Sequence, residues 1–131
     1  MKLRAVFAVT IGSILPLQVN AQDVQRDIFE YAKCIGQTDG YHVAAEPYAE
    51  GTFLLDLHLK DVAVLQSAST PEQWANFQVN RALGLSEWEA RIAVLQTIPM
   101  EQSPLWTEHA SIAWECGQQR QRLVAAGVFE H

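Results

Sequence analysis

Three groups of side chains in this sequence have the types needed for chemistry. The first is the cysteine pair, Cys34 and Cys116, the only two cysteines of the chain. The second is a possible ligand set of His58, Asp61 and His109. The third is a set of large aromatics: Trp74, Phe77, Trp88, Trp106 and Trp114. Two thiols in an oxidising compartment pair with each other, whereas a cytosolic pair is kept reduced. No Cys-x-x-Cys motif is present, so disulfide exchange is not suggested. A Cys34–Cys116 bridge would close most of the chain, worth about 4–5 kcal/mol on chain-entropy grounds.

His58 and Asp61 are three residues apart and share one face of a helix. Glu108 and His109 are adjacent and cannot both face one ion from a helix. The metal motifs Glu-x-x-His and His-Glu-x-x-His are absent. So are the haem motif Cys-x-x-Cys-His and the nucleophile elbow Gly-x-Ser-x-Gly. The sequence therefore assigns no metal, no cofactor and no catalytic residue, and leans away from an enzyme. His58, Asp61 and His109 read as ordinary surface or boundary residues. The carboxylate pairs Asp56/Asp61 and Glu87/Glu89 read as solvated faces. The five aromatics read first as core, and secondly as the lining of a binding groove between helices.

The compartment is set by the N-terminus. Lys2 and Arg4 precede an apolar run from Ala5 to Leu17, and Val19-Asn20-Ala21 ends it with small residues. That order reads as a signal peptide over residues 1–21, with Gln22 as the mature N-terminus and one helical domain over 22–131. The expected location is periplasmic or secreted. The apolar run is shorter than the about 20 residues of a membrane span, and no second such run follows, so the processed chain is not an integral membrane protein. The whole sequence has nine basic and fifteen acidic residues. Taking away Lys2 and Arg4 leaves seven basic against the same fifteen acidic, a net charge of −8. A chain this acidic is not built for nucleic acid. It suits a soluble domain, or one whose partner is basic.

The elements that must position these groups read as helices. Val24, Ile28, Tyr31 and Ile35 form one face of a helix from Asp23 to about Gln37, and Gly36 and Gly40 weaken its end. Pro47 and Gly51 mark a break. Phe53 to Leu59 alternates like a strand, but the run continues to Gln66, and a lone strand would have no partner. We read it as helix. Thr70-Pro71-Glu72-Gln73 is a capping box. Its helix runs through Trp74, Phe77 and Leu83 and is expected to stop at Gly84. Ser86-Glu87-Trp88-Glu89 reads as a second capping box, making a tight αα corner, and its helix buries Trp88, Ile92 and Leu95. The last helix starts at Ser103-Pro104 and stops at Gly127. It carries Leu105, Ile112, Cys116 and Leu123 on one side. Trp106, Ala110, Ala113, Trp114 and Gly117 share the adjoining side. Gly36 and Gly117 are expected to let two backbones approach at the bridge.

The expected fold is all-α, a small bundle of four or five helices whose first and last members are tied by the disulfide. The expected function is a non-catalytic, exported role of binding another envelope protein, of which an immunity or inhibitor protein is one version. The alternative is a small-ligand carrier with an aromatic pocket between helices. Nothing in the sequence fixes the oligomeric state.

Overall fold

The computed structural model describes residues 21–45 and 52–130, with side chains described over 21–41 and 56–130. Residues 1–20 of the signal-peptide segment, residues 46–51 with the Pro47–Gly51 break, and the terminal His131 lie outside the described residues. Among the described residues four α-helices follow one another: α1 (Ala21–Ala45), α2 (Thr52–Ala68), α3 (Pro71–Leu95) and α4 (Leu105–Ala125). A short 3-10 turn, Met100–Gln102, precedes α4. No strand occurs among the described residues, and Phe53–Leu59 is helical.

The first helix is the centre of the bundle. Its stripe of Val24, Ile28, Tyr31 and Ile35 is fully buried, as its spacing requires. It packs most extensively on α3, next on α4 and least on α2. Cys34 and Cys116 are bridged with Cα atoms 5.6 Å apart, so α1 and α4 are packed neighbours. The main core gathers around this bridge, with Leu65 from α2, Phe77 from α3 and Leu123 from α4. A second cluster of Tyr41, Trp88, Ile92 and Leu95 fills the other end of the α1–α3 seam. Each large side chain taken wholly out of water adds about 1.5–3 kcal/mol.

The expected corner at Gly84 is not there. Pro71 to Leu95 is one helix of 25 residues, and the Ser86–Glu89 box lies unused inside it. A Cβ on Gly84 would sit 1.9 Å from the carbonyl oxygen of Lys33. A Cβ on Gly36 would sit 1.8 Å from that of Arg81. The two glycines are reciprocal gaps through which the backbones of α1 and α3 touch. This contact outweighs the about 1 kcal/mol that each Gly costs a helix interior. It also explains why α1 runs on past Gly36 to Ala45. Gly117 was expected to share that job at the bridge and does not, since a Cβ there would meet nothing within 4 Å.

The start of α3 matches its sequence signature. The Thr70 side chain accepts from the Gln73 amide and Gln73 reaches back to the Thr70 amide. At the end of α4, Gly127 has φ 80°. Val128 N–H bonds to the Leu123 carbonyl and Gly127 N–H to that of Val124, both at 2.9 Å. This is a Schellman motif, and it turns Val128 and Phe129 back into the core.

Candidate functional site

The helix α2 carries two buried polar residues where a solvated face was expected. His58 and Asp61 are 2% and 3% exposed. They share the face of Leu65, which is wholly buried. Because this face points at α1, both side chains must find partners inside the protein.

Asp61 finds three donors. The Tyr31 hydroxyl donates to its Oδ2 at 2.5 Å. The Arg120 guanidinium grips it with two bonds, Nε to Oδ2 at 2.7 Å and Nη2 to Oδ1 at 3.1 Å. The fork geometry supplies two parallel bonds to a buried carboxylate. Phe129 covers the pair from outside, with the Arg120 guanidinium 5.2 Å from its ring centre and Tyr31 edge-on at 5.9 Å. Burial, followed by the bond to Asp61, pushes the Tyr31 phenol well above the usual tyrosine range. The bond to Asp61 likewise raises Arg120. Tyr31 therefore stays protonated and Arg120 stays charged.

His58 meets Thr38, two turns along α1 from Tyr31. The Thr38 hydroxyl donates to the Ile35 carbonyl at 2.8 Å, which uses its only proton. The same hydroxyl lies 3.0 Å from Nδ1 of His58 and is hydrogen-bonded to it. Tyr31 lies edge-on to the same ring at 5.8 Å.

The chemistry open to this cluster is narrow. A base needs a carboxylate with a free lone pair facing substrate, and Asp61 is held by three donors. A phenol whose proton is held this firmly is a poor acid. His109, the third member of the ligand set, stacks on Tyr41 with ring centres 3.4 Å apart. Among the described residues, no three His, Cys, Asp or Glu side chains converge as a metal site would require. The cluster joins three helices, α1, α2 and α4, by polar bonds. A surface depression of about 430 Å³ opens beside it, lined in part by Lys60, Val64, Arg120 and Phe129.

The five aromatics do not form one groove. Phe77 lies in the main core, and Trp74 stacks on it from the core's edge at 5.1 Å. Trp88 is buried in the second cluster. Trp106 and Trp114 are 56% and 71% exposed. Trp106 touches Tyr41 edge-on at 5.8 Å. Together with Ala110, Ala113 and Gly117, the two exposed indoles form an outward face of α4 free of charged residues, with open space above Gly117. Large exposed apolar residues that share one helix face mark contact surfaces more often than scattered ones do.

Sequence reasoning missed the burial of His58 and Asp61. The signal was present: Leu65 and Ala68 continue the same stripe, so extending their face backward by one and two turns reaches Asp61 and His58. Comparison with protein-family models, curated proteins and solved structures returned no match.

Proposed function

We propose that this protein is a small exported helical domain that acts by binding another protein of the cell envelope, not by catalysis. The observation that carries the reading is the pair Trp106 and Trp114, both more than half exposed on one uncharged face of α4. Indole rings are the side chains that most often anchor a protein interface. The chain as a whole carries more acidic than basic residues, which suits a basic partner. An immunity or inhibitor protein that covers a basic cleft is one such case. The signal-like N-terminus and the disulfide are consistent with an oxidising compartment.

The test compares wild type with Trp114→Ala and with the double variant Trp106→Ala/Trp114→Ala. An exposed ring can be removed at about 0.5 kcal/mol or less. The melting temperature should therefore hold while capture of the partner from an envelope extract is lost. Capture that survives in the double variant would reject this face.

A second reading rests on the depression beside Asp61 and Arg120. It is large enough for a small amphipathic molecule, with apolar contact from Val64 and Phe129 and a cation at Lys60. Native mass spectrometry of the purified protein would reveal a retained ligand.

A further inference from the structure

The helix α1 begins at Ala21, and its first core residue is Val24. Gln22 lies ahead of the core and is exposed, as is Asp23. Gln22 stands at the rim of a shallow depression of about 420 Å³, together with Arg26 and Phe29 of α1 and Asn80 of α3. A cut between Ala21 and Gln22 would put a new α-amine at this spot. Two features set a positive charge there at a disadvantage. The start of a helix carries about half a positive charge from its aligned peptide dipoles. Arg26 stands one turn on, and already reaches toward Asp23 at 3.5 Å and Asp27 at 3.7 Å. An ammonium on Gln22 would add a second cation to the same turn.

We propose that Gln22 is a modification site: as the first residue of the processed chain, it closes on itself to pyroglutamate. The residue type carries the chemistry. The α-nitrogen of an N-terminal glutamine and its own side-chain amide carbon are spaced to close a five-membered ring. The neutral amine attacks the carbonyl carbon Cδ, and the N–Cδ bond forms. The bond from Cδ to Nε2 breaks, and that nitrogen takes the amine proton and leaves as ammonia. No oxidant and no second substrate is needed. An α-amine titrates at about pH 8, well below a lysine, so part of it is neutral and nucleophilic at physiological pH. The fold accepts the product. The ring keeps the Gln22 carbonyl, which helical pairing assigns to the Arg26 amide. A ring through the backbone nitrogen is also what proline brings to the first turn of a helix, where it is well tolerated. What is lost is the ammonium, so the start of α1 sheds an unfavourable charge. The closed end also offers no α-amine to an aminopeptidase.

Cyclisation rests on processing after Ala21, which belongs to the export reading, and one experiment separates the two. The protein is expressed with its own leader, and its intact mass is measured without digestion, alongside Edman sequencing. The expected mass is that of residues 22–131 less one ammonia, in a fraction that rises on incubation at neutral pH. The cyclised chain should resist Edman degradation until pyroglutamyl aminopeptidase removes the ring, and then read Asp-Val-Gln. Gln22→Ser should read Ser-Asp-Val directly and lose no ammonia. A chain of residues 22–131 that keeps its ammonia throughout overturns the proposal and leaves the export reading standing. An equal loss of ammonia from Gln22→Ser overturns it too, because the loss would then come from another amide. A chain that begins at any other residue overturns the proposal, and one that still carries Met1 overturns the export reading with it.

Discussion

The two partners of α1 on either side of the core are held by opposite means. Against α3 it makes a seam of backbone contact and apolar packing, with Gly36 and Gly84 letting the chains touch. Against α2 it makes little contact, and that helix contributes only Leu65 as a fully buried apolar side chain among its described residues. What holds α2 instead is Asp61, with its bonds to Tyr31 and Arg120, and His58 against Thr38. Apolar packing tolerates small slips and loses energy in increments. A buried charge cluster holds one geometry, and loses its hold when one member goes. The seam therefore sets the stability of the bundle, and the cluster sets the position of α2.

The largest effect should come from closing the gap in the seam. Gly84→Val would drive a side chain into the Lys33 backbone, which has no flexible end to yield. The protein should be recovered at much reduced yield or unfolded by circular dichroism. A variant that melts like wild type would show that the helices can part without cost and that the seam is not the stronger region.

Next comes the cluster. Asp61→Ala strips the half-buried Arg120 and the buried Tyr31 hydroxyl of the carboxylate they share, a loss of about 3 kcal/mol, at the low end of that for fully buried pairs because Arg120 reaches the surface. Hydrogen exchange sharpens the comparison further. Amides of α2 should lose protection before those of α1 and α3, because the seam is untouched. Uniform loss across all four helices would mean that the two regions unfold as one unit.

The smallest effect is that of Tyr31→Phe. It removes one of three donors to Asp61 and keeps the ring that packs on His58 and Phe129. A cost of about 1–2 kcal/mol is expected from chemical denaturation, well below that of Asp61→Ala. An equal cost would make the phenol, rather than Arg120, the main partner of the carboxylate.

Much of the seam side was readable from sequence, because its signals are local. The stripe Val24–Ile35, the box at Thr70, the stop at Gly127 and the cysteine pair each lie within a few residues or need only one rule. Gly84 misled for a physical reason. A glycine after an amphipathic run looks like a terminus unless one knows that Gly36, on another helix, faces it. The two share a context, Lys33-x-x-Gly36 and Arg81-x-x-Gly84, which is the faint trace of their pairing. The α2 side was not readable in the same way. Asp61 meets its partners 30 and 59 residues away in the chain, so its polar type alone pointed to water. Trp106 and Trp114 erred in the other direction. Their size suggested core, while the side of α4 they occupy is decided by where Cys116 and Leu123 must go.

The bridge between Cys34 and Cys116 makes a covalent ring of everything between them. A protease that cuts once in the connection from Thr97 to Pro104 would release nothing. The two pieces would stay joined through α1 and α4, run as a single mass without reductant, and separate only when the sulfurs are reduced. In a compartment rich in proteases, one scission would thus leave the bundle assembled, and its loss would require either a second cut or an electron donor.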